Sequence, residues 1–419
     1  MTPEKSWILH TNVYEVNLRQ YTHEGTINAF RPHLARLRDM GVETLWFMPI
    51  TPIAQKEKKG SMGSYYACSD YTAVSPEFGS LEDFRALVEE AHGLGFRVIL
   101  DWVANHTGWD HRWTWEHPEW FERNGATGDF VRAHGMDDII ELDFNNPDMR
   151  RALIDAMRWW VEETGIDGFR CDLAFWVGLD FWVEAKAALD AVRPLFWLGE
   201  LDPLTHPEYM QVFDAAYTWS WMHSAQEYYH GRTPLQDLYA LLERYRTAPG
   251  LPAWFTANHD ENSWNGTEFE KYGAAAPLLA VFSCTWPGIP LLYSGQELPN
   301  ERRLQFFEKD PIGWTQEAPQ FHRFYQLLLQ LKSAHPALAA DAGCTVLETN
   351  AGKGVLAFLR QAGNDEVLVL LNLTGRLQDL ALAAPLTGAW RELFNGARWS
   401  TAEPGQLLPP WGFAVYTRG

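Results

Sequence analysis

Short apolar runs alternate with amphipathic segments over the first 335 residues of the chain. The apolar runs have the length and composition of buried strands, which predicts strands at residues 13–18, 42–50, 96–101, 166–172, 195–200, 213–218, 252–257 and 290–294. Between them apolar residues recur at helical spacing, as over residues 147–164. Eight strands alternating with helices favour a closed parallel (β/α)8 TIM barrel over an open sheet.

This alternation is interrupted once and then ends. Residues 107–143 are polar, rich in aromatic side chains and too many for an ordinary connection, which predicts an inserted subdomain after strand three. From residue 336 onward, turn residues separate short apolar runs, which predicts a C-terminal all-β sandwich domain over residues 336–419. The barrel is then expected to comprise residues 1–106 and 144–335.

Charge and composition narrow the classes of partner. The 54 acidic against 34 basic side chains give a net charge of −20, which repels nucleic-acid phosphates and anionic lipid head groups. The chain begins without the pattern of a signal peptide and contains no apolar run long enough to span a membrane. Its four cysteines form no C-x-x-C pair, which is typical of free thiols in a reducing compartment. We therefore expect a cytoplasmic protein without nucleic-acid or membrane partners.

Charged and titratable side chains cluster at the ends of the predicted strands. Arg170 and Asp172 are two residues apart on a strand, so their side chains point the same way. In a parallel barrel the carboxyl ends of the strands meet at one mouth, where functional groups lie. The groups expected at this mouth are Asp101, His106, Arg170, Asp172, Glu200, His259 and Asp260.

These strand ends resemble, in order, the four signature regions of the α-amylase family of glycoside hydrolases (family 13 type). The matching segments read D-x-x-x-N-H from Asp101, G-x-R-x-D ending at Asp172, a lone Glu200, and N-H-D ending at Asp260. The insertion after strand three and the β-rich C-terminal region also match the architecture of that family. The resemblance thus covers nearly the whole chain.

The resemblance implies roles for the three carboxylates after the strands. Asp172 would be the nucleophile, Glu200 the general acid/base, and Asp260 a third carboxylate that holds sugar hydroxyls as the ring distorts. A retaining glycosidase needs one ionised and one protonated carboxyl group. Arg170 is expected to keep Asp172 ionised, whereas Glu200 has no cation beside it in the sequence.

The resemblance also implies substrate-binding residues. Tyr66 aligns with the family tyrosine that stacks under the sugar being cleaved, and its neighbour Tyr65 is the alternative. Asp101 would organise the arginine side of the site, and His106 and His259 would donate hydrogen bonds to sugar hydroxyls. Further candidates for sugar platforms, with core packing as the alternative, are Trp109, Trp113, Trp115 and Trp120 in the insertion.

The chain departs from the family where many starch-degrading members have Lys-His after the nucleophile, because it has Phe175 and Trp176 there. The chain thus lacks the lysine that contacts the leaving-side sugar in those members and the histidine that contributes to the family's structural calcium. Asn105 with Asp137 or Asp138 could still bind Ca²⁺ through oxygen atoms. We expect no required cofactor, leave calcium open, and assign no metal ligand.

The predicted function is a retaining α-glycoside hydrolase that cleaves α-1,4-glucosidic bonds in starch-derived glucans or maltooligosaccharides through a covalent glycosyl-enzyme intermediate. An α-glucosidase or a 4-α-glucanotransferase of the same family stays open, because the acceptor side decides between water and a sugar. From another class, a non-catalytic glycan-binding or partner subunit is the alternative, although the three carboxylates argue against it. Endo or exo action and linkage preference are left open.

Overall fold

The computed structural model describes residues 3–314, 319–401 and 405–418. Eight parallel strands close into a barrel in the order β1-β8-β7-β6-β5-β4-β3-β2. They are Val13–Val16 (β1), Thr44–Phe47 (β2), Arg97–Trp102 (β3), Gly168–Cys171 (β4), Phe196–Gly199 (β5), Ala215–Tyr217 (β6), Leu251–Trp254 (β7) and Ile289–Tyr293 (β8). Most of their residues are buried on both faces, as expected where helices cover a parallel sheet.

Helices cover the outside of the barrel. They are Leu34–Met40 (α1), Leu81–Gly93 (α2), Pro147–Thr164 (α3), Leu179–Asp190 (α4), Trp219–Tyr229 (α5), Leu235–Thr247 (α6), Ala276–Thr285 (α7) and Pro319–Ala334 (α8). Short helices lie at Leu18–Tyr21, Ile27–Phe30, Trp113–Glu116 and Glu268–Tyr272. Within the described ranges, no helix combines the length and apolar character needed to cross a bilayer.

The C-terminal region is an antiparallel β-structure. Six strands form one sheet in the order Gly343–Leu347, Val355–Ala362, Asp365–Asn372, Phe413–Arg418, Trp390–Glu392 and Arg398–Trp399. A two-stranded sheet of Gln378–Leu380 and Gln406–Leu408 adds Leu380 and Leu408 to the core of this region. The predicted fold, a TIM barrel followed by an all-β domain, is confirmed, whereas the domain limits stay a prediction.

The structure differs from the sequence prediction in local detail. The first strand ends at Val16 because the chain enters the short helix Leu18–Tyr21. Helix α5 was not predicted, although Trp221, Met222 and Ala225 bury one face of it at helical spacing. Within the insertion, His106–Gly108 pairs with Ile139–Glu141 as a two-stranded sheet. The inserted stretch is therefore partly ordered by strand pairing and not by loop contacts alone.

Arg360 fastens the C-terminal sheet to the barrel. Its fully buried guanidinium donates to the carbonyl oxygens of Thr285 and Ala339, each at 2.6 Å. Beside it, Trp286 and Phe358 pack edge to face with ring centroids 4.9 Å apart. Separating the C-terminal sheet from the barrel would leave the Arg360 guanidinium without its acceptors and would break the aromatic pair. Both changes cost free energy, so this contact holds the two parts of the chain together.

Candidate active site

A cavity of about 490 Å³ opens at the carboxyl end of the barrel. Five of the residues predicted for the site line it: Tyr66, His106, Asp172, Glu200 and Asp260. The other three, Asp101, Arg170 and His259, lie beneath them and contact them directly. The other residues that line the cavity are Lys59, Ser64, Met136, Asp138, Ile139, Leu173, Trp264, Phe306 and Phe307. The strand ends named from the sequence thus meet at one cavity.

Arg170, which is fully buried in β4, joins three carboxylates at the base of this cavity. Its Nη1 donates to Asp101 Oδ1 at 2.8 Å and to Asp172 Oδ1 at 2.9 Å. Its Nη2 lies 2.7 Å from Glu200 Oε2. Glu200, which has no cation beside it in the sequence, thus receives the guanidinium of Arg170 from the neighbouring strand, because β4 and β5 pair in parallel.

The three carboxylates outnumber the single guanidinium, and this excess affects their protonation. Burial raises the pKa of Asp172 well above its usual value, with Glu200 and Asp101 adding to the rise and Arg170 opposing it. Burial likewise raises the pKa of Asp101 against the effect of Arg170. Arg170 thus favours the ionised form of Asp172, as expected from the sequence, while burial and the neighbouring carboxylates oppose it. Such a cluster retains a proton more readily than an isolated carboxylate does.

The backbone after the β4 strand orients Glu200. Leu173 has a φ of 38°, in the left-handed region that a non-glycine residue adopts at an energetic cost. In this conformation its N–H donates to Glu200 Oε2 at 2.9 Å. Glu200 is therefore held by a backbone donor in addition to the guanidinium of Arg170.

Glu15, which the sequence analysis did not single out, lies under the opposite side of the cavity. The Nδ1 of His259 donates to Glu15 Oε1 at 2.5 Å, and its Nε2 lies 2.7 Å from the Tyr66 hydroxyl and 3.4 Å from Asp260 Oδ2. Burial opposes protonation of His259, but the charges of Asp260 and Glu15 raise its pKa well above the usual value. His259 is therefore an imidazolium between two carboxylates.

Asp260 lies at the mouth with its side chain 40% exposed. Desolvation in the cavity opposes its ionisation, but the adjacent charge and hydrogen bond of His259 lower its pKa below the usual value. Trp264 Nε1 also donates to Asp260 Oδ1 at 3.2 Å. Asp260 is thus an ionised acceptor that faces the cavity.

The structure distinguishes the two neighbouring tyrosines. Tyr66 lines the cavity, and its hydroxyl donates to Asp101 Oδ2 at 3.0 Å. Tyr65 is buried, donates to Asn17 Oδ1 at 3.0 Å, and packs under the guanidinium of Arg19. Of the two tyrosines, Tyr66 is therefore the one placed to contact a ligand.

His106 is a neutral group on the cavity wall. Burial lowers its pKa to about 3. Its Nδ1 lies 3.4 Å from the side-chain amide nitrogen of Asn105. Within the described chain its buried Nε2 has no hydrogen-bond partner. A neutral imidazole with Nδ1 as acceptor carries its hydrogen on Nε2, so His106 can donate to a ligand.

None of the four tryptophans suggested as platforms in the insertion lines this cavity. Trp113 and Trp120 are buried and pack edge to face, 4.9 Å apart, and Trp115 is 65% exposed elsewhere on the surface. Besides Tyr66, the aromatic residues at the cavity are Trp264, Phe306 and Phe307, which follow β7 and β8. Their position after predicted strands was the only signal that could have indicated them.

Both acidic residues suggested for calcium are paired with cationic side chains. The carboxylate of Asp138 lies 2.6 Å from the Lys59 ammonium, and Asp137 pairs with Arg132 at 3.0 Å. The amide nitrogen of Asn105 is directed to His106. Across residues 3–314, 319–401 and 405–418, no three His, Cys, Asp or Glu side chains are grouped as metal ligands. A cation at Asp138 would have to displace a lysine, which like charge disfavours.

Comparison with known proteins places this site in a family. The chain matches the family described as alpha amylase, catalytic domain, over residues 11–127 and 117–311, and the maltogenic amylase C-terminal domain over residues 344–415. It is 24% identical to "Alpha-amylase 2" of Dictyoglomus thermophilum and 27% identical to "Neopullulanase 2" of Thermoactinomyces vulgaris. These alignments cover 91% and 89% of this chain, and 69% and 67% of the two relatives, so the chain spans about two thirds of their length.

A solved structure agrees over nearly all of the chain. The noncanonic maltogenic alpha-amylase of Thermotoga neapolitana superposes with a TM-score of 0.88 at 26% sequence identity. The match covers 98% of this chain and 99% of that one. The resemblance inferred from four strand-end motifs is thereby confirmed. This chain is a glycoside hydrolase of the alpha-amylase family.

Proposed function

We propose that the enzyme hydrolyses α-1,4-glucosidic bonds in starch-derived glucans or maltooligosaccharides with retention of the anomeric configuration. Asp172 is the nucleophile, Glu200 the general acid/base, and Asp260 the third carboxylate. The observation that carries this proposal is the placement of Asp172 and Glu200 on the same guanidinium, 2.9 and 2.7 Å from Arg170, at the base of one cavity.

The shared guanidinium suits a double displacement. In the first step a carboxylate oxygen of Asp172 attacks the anomeric carbon, while protonated Glu200 gives its proton to the departing glycosidic oxygen. Asp172 becomes a neutral ester as Glu200 becomes a carboxylate. In the second step Glu200 takes a proton from water, whose oxygen attacks the same carbon and releases Asp172. Arg170 therefore faces one ionised partner of this pair in every state and needs no reorganisation.

The other side of the cavity would hold the sugar whose bond is cleaved. Ionised Asp260 accepts hydrogen bonds from its hydroxyls, and the ring of Tyr66 offers a face for stacking. His106 donates from neutral Nε2, while cationic His259 keeps Tyr66 and Asp260 in place. Contacts that strengthen as positive charge develops on the ring lower the barrier more than they tighten binding.

Phe175 and Trp176 remove the polar contact expected on the acceptor side. Trp176 stacks on His134 with ring centroids 3.4 Å apart, and Phe175 stacks on His206 at 4.7 Å. Apolar stacking therefore takes the place of a charged lysine contact. We propose water as the acceptor, and thus hydrolysis over transfer, because these stacked rings take the positions of the lysine contact to a sugar. All four cysteines are unpaired, which fits the cytoplasmic location that stays a prediction.

The test is a product analysis on maltoheptaose, with the anomeric form of fresh products followed by NMR. Asp172→Asn should abolish cleavage, whereas the matched control Asp155→Asn, at an exposed position of α3, should retain it. Fresh α-anomers from the wild type support retention by hydrolysis. Fresh β-anomers would contradict retention, longer chains would indicate transfer, and an inactive wild type would contradict the proposed substrate.

A further inference from the structure

Direct contacts join the segments around one side of the cavity. Lys59, in the loop after β2, lies 2.6 Å from Asp138 of the insertion. The same loop contacts the segment after β8, because the Met62 N–H donates to the Phe307 carbonyl oxygen at 3.0 Å and the Ser61 N–H to Glu308 Oε1 at 2.9 Å. Three segments that are far apart in sequence thus form a continuous rim.

Aromatic packing extends this rim to the segment after β7. The ring of Trp264 lies 5.5 Å from that of Phe306 and 5.6 Å from that of Phe307, and these two phenylalanines are 5.0 Å apart. Trp264 is 51% exposed, so one side of its ring faces the solvent and the cavity. We call the set formed by Lys59, Asp138, Trp264, Phe306 and Phe307 the wall.

The wall is supported from below. Buried Arg19 donates to the carbonyl oxygen of Gly63 at 3.0 Å and to Glu77 Oε1 at 2.6 Å, and thus fixes the base of the β2 loop. The loop approaches the β8 segment so closely at Gly60, where φ is 61°, that a Cβ atom would lie 2.5 Å from the Cβ of Phe307. Only glycine allows this approach without displacement. The β2 loop and the segment after β8 are therefore closely packed against each other in the wall.

Contacts of the wall show which end of the substrate it meets. Trp264 donates to Asp260, and the ring of Phe306 lies 6.2 Å from Tyr66 and 6.1 Å from His259. In the proposed function Asp260 and Tyr66 contact the sugar that becomes attached to the enzyme, and His259 keeps both in place. Glu200 protonates the leaving oxygen and therefore marks the leaving-group side. Among the described residues, it is the cavity-lining residue that follows β5. The wall thus lies on the glycone side of the cavity, away from Glu200.

We propose that the glycone side of this cavity is a dead end, so that the enzyme acts on the non-reducing ends of α-glucans and removes short units from them. This inference rests on the proposed function. An internal segment of a polymer continues in both directions and would collide with the wall. A chain end stops there, where Lys59 and Asp138 offer a donor and an acceptor to its terminal hydroxyls. The cavity volume of about 490 Å³ is that of a small-molecule pocket.

The experiment compares maltoheptaose with maltoheptaose whose terminal non-reducing glucose carries a 4,6-O-ethylidene group. Products of both are followed by chromatography. We expect kcat/KM for the blocked substrate to be lower by at least about tenfold, because the added group collides with the wall. Equal rates would overturn the inference and leave the proposed function standing. Cleavage of neither substrate would contradict the proposed function itself.

Variants test whether the wall is the cause. Lys59→Ala and Phe307→Ala should raise the ratio of blocked to unblocked rates by at least about fivefold. Lys58→Ala is the matched control, since it lies in the same loop and its ammonium donates to Gln55. Thermal unfolding of each variant shows whether it is folded. An unchanged ratio in folded Lys59→Ala and Phe307→Ala would overturn the role of the wall.

Discussion

Glu15 and His259 form a fully buried ion pair beneath the active site, with Glu15 Oε1 2.5 Å from His259 Nδ1. The second oxygen of Glu15 is buried and has no hydrogen-bond partner in the described ranges. On its other side the imidazolium contacts Tyr66 and Asp260, which face the cavity. Glu15 does not touch the cavity, so any effect on catalysis acts through the charge and position of His259.

Glu15→Gln should remove the charge that favours the imidazolium. The raised pKa of His259 depends on Asp260 and Glu15, so loss of one of them lowers it, and His259 then loses its proton at a lower pH. The basic limb of the kcat/KM profile should move to lower pH, with little change in the acid limb. The exposed control Glu24→Gln should follow the wild-type profile. A uniform loss at every pH would show a merely structural role.

His106→Phe should lower kcat/KM by about 10- to 100-fold, the effect of one lost hydrogen bond to the sugar. The loss should be the same from pH 5 to pH 8, because the pKa of His106 is about 3 and the side chain stays neutral throughout. The pH profiles of wild type and variant are the measurement. A loss confined to the acid side would mean that His106 acts as a cation.

Tyr66→Phe and Tyr65→Phe form a matched pair of variants. Removing the Tyr66 hydroxyl breaks its hydrogen bonds to Asp101 and His259, so kcat should fall by about tenfold. Removing the Tyr65 hydroxyl breaks its bond to Asn17, outside the cavity, and should lower the free energy of unfolding by about 1 kcal/mol with kcat unchanged. Steady-state kinetics and denaturant unfolding separate the two, and a reversed result would show that the tyrosines are misassigned.

Lys332 should make stability depend on pH. It is fully buried, donates to the carbonyl oxygens of Gly288 and Leu338, and has a pKa lowered by burial to about 7. Between pH 7 and the unfolded-state value of 10.5 the native protein binds one proton fewer at this side chain. This site therefore raises the free energy of unfolding with pH, by up to about 1.4 kcal/mol per unit.

Lys332→Met should remove this contribution. The variant's free energy of unfolding should rise less steeply than that of the wild type between pH 7.5 and 9.5, by the equivalent of about one proton. Denaturant unfolding at several pH values measures the slope, and Lys353→Met, at an exposed position, is the control. Equal slopes for Lys332→Met and wild type would mean that Lys332 is protonated in the folded protein across this range.

Periodicity and local motifs account for the predicted part of this molecule. Buried strands and amphipathic helices have distinct spacings, so the alternation over residues 13–294 indicated the barrel before any contact was known. A parallel barrel brings its carboxyl strand ends together, which is why Asp172, Glu200 and Asp260 could be assigned to one mouth. Both signals are local in sequence, and neither depends on which residues meet across the fold.

Contacts between distant segments account for what was missed. In the sequence Glu15 is one residue of a mainly apolar strand, and Trp264 and Phe306 are ordinary aromatic residues. Their roles follow only from the pairing of β1 with β8 and from the contact between the segments after β7 and β8. The sequence by itself determined the barrel, the C-terminal β-structure and the strand ends that carry the chemistry. Only the tertiary structure decided that Arg170 serves both Asp172 and Glu200, and that Lys59 pairs with Asp138. Those pairings depend on the alignment of β4 with β5 and on the approach of the β2 loop to the insertion, which bring together side chains that no local pattern relates.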